Sequence, residues 1–181
     1  LEQVAGERAG EFGELLAHHY GTALRLAEQT AAAADPALRE SAVRWLLRAS
    51  DDALRKFVLD KAERLAHDAL ASVARDVERC DALAALGHAY QAQVRGDLAW
   101  QYFTEAAEVA DGSDEISDLR TARLLALACD QAVRWPGTMT VVVPEAEVRA
   151  RRDRGLALVG PGDTRERANL LAISASWPFA Y

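Results

Sequence analysis

Ala82-Leu83-Ala84-Ala85-Leu86-Gly87-His88-Ala89-Tyr90, with Ala99-Trp100-Gln101-Tyr102-Phe103-Thr104-Glu105-Ala106 a short way on, is the stretch whose reading decides the fold. Apolar residues recur at steps of three and four, which is helical spacing. The small residues Gly87, Ala99 and Ala106 let two helices approach closely, while Leu83, Leu86, Tyr90 and Phe103 fill the space around them. The segment from Ala82 to Asp111 therefore reads as two helices packed on each other.

The rest of the chain agrees. Its 181 residues hold 38 Ala and 23 Leu against two Ile, 13 Val and seven Thr, a composition that favours helices over strands. Four punctuated stretches break the periodicity: Thr30 to Pro36, Asp111 to Asp114, Trp135 to Pro144 and Gly160 to Asp163. Between them the spacing predicts helices near 3–29, 36–55, 58–74, 76–94, 97–110, 115–134, 145–159 and 164–176. Asp35 is the expected cap before Pro36, and Asp163 with Glu166 has capping-box spacing. The run Val141-Val142-Val143 alone has strand-like propensity. Pro178 should stop or bend the last helix near Ser176. No linker is evident, so residues 1–181 read as a single all-α domain of antiparallel helix pairs, expected to be a fragment of a larger multidomain protein.

The central spacing resembles the tetratricopeptide repeat: Leu86, Gly87 and Tyr90 on a first helix, Ala99, Phe103 and Ala106 on a second. A second copy lies upstream, with Leu46 in the large slot and Ser50, Ala62 and Ala69 in the small ones. Ala62 to Ala99 and Ala69 to Ala106 are each 37 residues, close to the repeat's period of about 34. Ala53 and Ala66 stand where the central copy has aromatics, and downstream the small slots are not identifiable. The resemblance implies pairs stacked as a short right-handed solenoid, with the first helix of each pair lining a concave face. Carried over slot by slot, that groove holds Arg44, Leu47, Asp51 and Leu54, with Arg55 adjacent, in the first copy and Asp81, Ala84, His88 and Gln91 in the central one.

Taken whole, the order resembles the helical region behind the ATPase module of large bacterial signal-transduction ATPases. These include LuxR-type and SARP-type transcriptional regulators and ATPases linked to adenylate or guanylate cyclases. The matching stretches are Glu14 to Tyr20, Arg48 to Leu54, Glu78 to Gly87 and Arg165 to Ala172. None of them is catalytic. The resemblance implies a parent with such activities. Two cysteines read as thiols of a reducing compartment, with neither a membrane-length apolar run nor an opening signal sequence, lead to an expected cytoplasmic location.

Charge and motif content exclude several classes. A net charge of −7 argues against nucleic-acid binding by this segment, and no run approaches the roughly 18 apolar residues of a membrane span. Arg149, Arg151, Arg152 and Arg154 form the densest basic stretch, but Glu145, Glu147 and Asp153 dilute it. Cys80 and Cys129 sit in apolar helical windows away from any zinc spacing and read as buried thiols. His18 and His19 are adjacent and point about 100° apart on a helix, so they do not chelate one metal; one of them is expected to bond a neighbouring helix, and His67 to lie on the surface. No phosphate-binding loop, dinucleotide motif or nucleophile elbow is present. The expectation is no catalytic residue, metal or cofactor.

Two functions follow: a noncatalytic protein-interaction or regulatory module docking a protein partner or other domains of its parent, or a sensor binding a small-molecule effector in the concave surface. An enclosed apolar cavity would favour the sensor, and an open groove the interaction module. The C-terminal run Leu170, Leu171, Ile173, Trp177, Phe179 and Tyr181 lacks a polar cap, so it should either fold back on the third pair or bury itself against another chain, and self-association through that edge at high concentration is the expectation.

Overall fold

The computed structural model describes residues 12–30 and 35–180. Among them are eight α-helices and no strand: α1 Gly13–Gln29, α2 Pro36–Arg55, α3 Leu59–Ser72, α4 Asp76–Ala92, α5 Gly96–Asp111, α6 Asp118–Arg134, α7 Glu145–Val159 and α8 Arg165–Ala180. A 3-10 turn, Pro136–Thr138, follows α6. The expected start of the first helix, and Tyr181, lie outside the described residues.

The chain divides into two compact units, Leu1–Ala85 and Leu86–Tyr181, with the boundary inside α4. In the first unit α2 packs against α1 and α3. Its core gathers Leu16, Ala17, Trp45, Leu46, Ala49, Leu65, Ala69 and Ala82. In the second, α6 packs against α5, α7 and α8, and Cys129, Val143, Val148, Leu170 and Ile173 belong to the core around it.

Local chemistry explains most boundaries. Asp35 accepts from the Ala37 amide at 3.0 Å, and Pro36 takes the first helical position. α4 starts with Glu78 reaching back: it accepts from the Ala74 amide at 3.2 Å and from Arg75 at 2.7 Å, while Arg75 also reaches Glu40 at 3.1 Å. Burial would raise the Glu78 carboxyl, but the Arg75 guanidinium and the Ala74 and Arg75 amides outweigh it and hold it below its ordinary value.

The turns after α2 and α4 share one device. Phe57 (φ 57°) and Val94 (φ 61°) occupy left-handed backbone without being glycine. Val58 N–H bonds Ala53 O at 2.9 Å and Phe57 N–H bonds Leu54 O at 3.0 Å; Arg95 and Val94 repeat the pattern onto Tyr90 O at 2.9 Å and Gln91 O at 3.1 Å. These are Schellman ends, a geometry that glycine usually serves.

Three expectations are corrected, and the valine run resolves as loop. The cap of α8 is Thr164, whose hydroxyl accepts from the Arg167 amide at 3.1 Å, so Asp163 and Glu166 form no capping box. α6 begins at Asp118 rather than near residue 115, because the chain first turns through Asp114–Ile116. The valine run forms no strand, since no neighbouring strand offers a ladder: Val143 is buried in the core, while Val141 and Val142 are exposed. Instead the Asp97 carboxylate receives the Thr140 hydroxyl at 2.5 Å and the Thr140 amide at 3.0 Å, bonds that hold it below the usual carboxylate range. Gly96 allows this approach, as a Cβ there would meet the Thr138 carbonyl oxygen at 2.6 Å. Finally, α8 runs through Pro178 to Ala180. Only two helical residues follow the proline, and Trp177 and Ala180 pack against the core, which holds the last turn in place despite the missing amide.

Candidate functional site

The faces that the helix pairs leave open are the candidate site. On α2, Arg44, Asp51 and Arg55 are exposed and Leu47 and Leu54 half-buried; Leu47 leans on the core of its own unit. Asp51 and Arg55 form an ion pair along the helix, and Arg55 also pairs Asp52. On α4, Asp81 is exposed and Ala84, His88 and Gln91 are half-buried. His88 meets the Phe103 ring edge-on, centroids 5.0 Å apart, and the Gln91 amide donates to Gln131 at 3.0 Å. Gln131, fully buried, passes the chain on to the Thr138 hydroxyl at 3.1 Å. Two of the expected groove residues are thus engaged within their own unit.

Sequence reading missed the corresponding face on α6. Arg44 to Arg123, Asp51 to Asp130 and Arg55 to Arg134 are each 79 residues, so the stripe Arg-x6-Asp-x3-Arg occurs twice. The ion pair recurs too, with Arg134 3.1 Å from Asp130. That spacing was the available signal. The same offset places Cys129 opposite Ser50, and both side chains donate across their helix pair: Ser50 to the Ala62 carbonyl at 2.7 Å, and Cys129 to the Val148 carbonyl at 3.5 Å. Val148 and Gly155 on α7 are then spaced as Ala62 and Ala69 are on α3, seven residues apart. Gly155 is buried, and a Cβ on it would come within 2.9 Å of Leu170.

Between α6 and α8 lies a groove of about 210 Å³ lined by Arg123, Asp130, Arg134, Arg165, Glu166 and Asn169, with Ile173 among its apolar walls. Burial pushes the Asp130 carboxyl above its ordinary value, against the pull of Arg134. In the first unit a groove of about 270 Å³ runs between α1 and α3 over Leu46, edged by His18, Arg25, Arg64 and Asp68. A concavity of about 560 Å³ beside Arg149 and Asp153 is lined by α7 alone and lies open to solvent. The first two are partly enclosed and the third is open, and charged side chains line each.

The remaining candidates have structural roles. Ser50, Ala62, Ala69, Leu86, Gly87, Tyr90, Ala99, Phe103 and Ala106 are all buried. A Cβ on Gly87 would lie 2.5 Å from the Phe103 ring, so the aromatic rests on the glycine backbone. Cys80 and Cys129 are buried free thiols, and desolvation pushes the Cys129 thiol up to about 12. His18 and His19 are exposed with rings 5.7 Å apart, and neither bonds a neighbouring helix among the described residues. His67 is exposed. No group of three His, Cys, Asp or Glu able to hold a metal occurs among the described residues, and none of their helices is long and apolar enough to cross a membrane.

The dense basic stretch on α7 is fully engaged. Arg149 pairs with Glu145, Arg151 with Glu147 at 2.8 Å and Glu108 at 3.4 Å, Arg152 with Asp153 at 2.5 Å, and Arg154 with Asp111 at 2.7 Å. Arg149 and Arg152 also sit over the Trp177 ring, at 5.5 and 5.3 Å. Leu170 and Ile173 are buried and Trp177 is half-buried, so the C-terminal segment folds back on its own unit and leaves Leu171 exposed. Comparison with protein-family models, with curated proteins and with solved structures finds no match for this chain.

Proposed function

We propose that this chain is a noncatalytic protein-interaction module, built of antiparallel helix pairs stacked as a right-handed tetratricopeptide-like solenoid within a bacterial signal-transduction ATPase or transcriptional regulator. One observation carries the reading: the grooves between its helices, about 210 and 270 Å³, are small, partly open and lined by charged side chains. Small-molecule sites are usually mostly apolar clefts or cavities of about 300–1,000 Å³. Both grooves are smaller than that and lined by charge, which favours an extended partner. The repeated stripe on α2 and α6, and the repeated cross-pair bond from Ser50 and Cys129, support a repeat architecture.

A peptide array spanning acidic, neutral and basic sequences, probed with the folded chain and followed by titration of the hits, tests this. Saturable peptide binding that is lost on charge reversal of Arg123 or Arg44 is the expected result. Stabilisation by a small organic metabolite, with no peptide bound, would assign the sensor role instead. The same chain titrated with ATP should give no saturable heat, since it carries no phosphate-binding loop.

A further inference from the structure

Most described arginines are committed to a carboxylate, a carbonyl or an aromatic ring. Among the described residues, Arg64, Arg123 and Arg165 alone make no hydrogen bond, ion pair or ring contact. Two of these three line the same groove, between α6 and α8. The third guanidinium there, Arg134, is held by Asp130, which leaves Arg123 and Arg165 facing the groove with Glu166 as the one uncommitted carboxylate and the Asn169 amide beside them. Three guanidiniums against two carboxylates make this a locally positive site in a chain of net charge −7.

We propose that the groove between α6 and α8 receives an acidic segment of a partner protein, with Arg123 and Arg165 pairing its carboxylates; this rests on the interaction-module reading and names the partner's chemistry. Guanidinium is suited to the task because it offers a planar fork to a carboxylate. The groove is partly open, and exposed ion pairs are individually weak, about 0–1 kcal/mol. A single small anion therefore gains little there. An acidic segment engaging Arg123 and Arg165 together gains from two pairs on one ligand at once. The contrast with α7 fixes the choice of site: its denser arginines are already neutralised by Glu145, Glu147, Asp153, Asp111 and Glu108.

The test is fluorescence anisotropy on the full chain with a labelled peptide of alternating glutamate and alanine, its glutamine counterpart, and the variants Arg123→Gln, Arg165→Gln, their double and Arg149→Gln. The net negative chain repels acidic probes in general, so binding reports a local positive site. The glutamate peptide should bind and the glutamine peptide should not. The double variant should weaken binding about tenfold or more, and Arg149→Gln should leave it unchanged. Equal binding of the two peptides, no binding of the glutamate peptide, or an unaltered double variant would each overturn the acidic-partner proposal. Neutral or basic peptides from the array binding the same chain would still uphold the interaction module. Citrate or inorganic phosphate displacing the probe at concentrations comparable to the peptide's own would reassign the groove to small oxyanions. Both arginines are exposed, and circular dichroism checks that the variants fold.

Discussion

The first helix pair and the central pair solve one packing problem in opposite ways. Ser50 and Gly87 lie 37 residues apart, and so do Ala66 and Phe103. Where the second helix presents only Ala66, the first carries a hydroxyl that donates to the Ala62 carbonyl at 2.7 Å. Where it presents Phe103, the facing residue has no side chain, and the ring occupies the space a Cβ would need. What the fold requires is close approach at that slot, and a small hydrogen-bonding residue beside a small neighbour or a glycine beside a ring each satisfies it. The third pair follows the first solution, with Cys129 as the donor.

The largest expected effect breaks the central version. Phe103 is fully buried, so Phe103→Ala should cost about 3–5 kcal/mol. Gly87→Ala forces a Cβ onto the ring and should cost about 1–3 kcal/mol; combined with Phe103→Ala the two should total less than their sum, because the ring that clashes is gone. The buried cysteines localise the damage, as Cys80 lies in the first unit and Cys129 in the second. In Phe103→Ala, thiol trapping at Cys129 should accelerate more than at Cys80. Strict additivity of the double variant would show that ring and glycine are not coupled.

Next comes an acid-dependent effect confined to the first unit. The Glu78 carboxyl lies below its ordinary value of 4.5 when folded. A depressed folded value contributes stability that is fully present above the unfolded value and lost as pH falls through the folded one. Glu78→Gln should therefore lower the melting temperature at neutral pH and flatten its decline below about pH 4.5. An unchanged acid limb would mean that the bonds to Arg75 and the Ala74 amide do not govern it.

Helix positions were legible in the sequence because apolar spacing and proline or glycine breaks act locally: α2 and α7 start and stop where Asp35, Pro36, Pro144 and Gly160 predict. The central groove stripe was legible as a line of residues on α4, but not the fact that His88 and Gln91 are engaged by Phe103 and Gln131, which lie on other helices. The α6 stripe was missed because the longer turn between Asp111 and Asp118, ahead of α6, shifts the period from 37 to 42 residues, hiding the match between Asp51 and Asp130 until whole helices are compared. The valine run forms no strand for a physical reason, since β-propensity means little without a strand to pair with.

A smaller effect tests whether the first and third pairs are truly alike. Ser50→Ala removes a buried hydroxyl bonded at 2.7 Å and should cost about 1 kcal/mol. Cys129→Ala loses only a weak thiol donor at 3.5 Å along with its sulfur packing, so any penalty beyond that of the lost volume should be slight. Cys129→Ser keeps a donor at this position and should be tolerated if the two sites share a role. Denaturant midpoints of the three variants decide it, and a Cys129→Ser protein far less stable than Cys129→Ala would show that the third pair holds its donor site in a different, apolar way.

The smallest effect is a gain, and it probes the turns that the two copies share. Phe57 and Val94 hold left-handed backbone at a cost of about 1–2 kcal/mol for a residue with a Cβ. Replacing either by glycine removes that strain but adds freedom to the unfolded chain worth about 0.5–1 kcal/mol. Both side chains are largely exposed, 80% and 65%, so little burial is forfeited. The balance favours glycine by a few tenths to about 1 kcal/mol, and more at Val94, whose branched Cβ fits this region worst. Denaturant midpoints of Val94→Gly and Phe57→Gly should both rise, with Val94→Gly ahead. A fall in either would mean that the side chain makes a stabilising contact outweighing its strained backbone, and the two turns would then differ in what holds them.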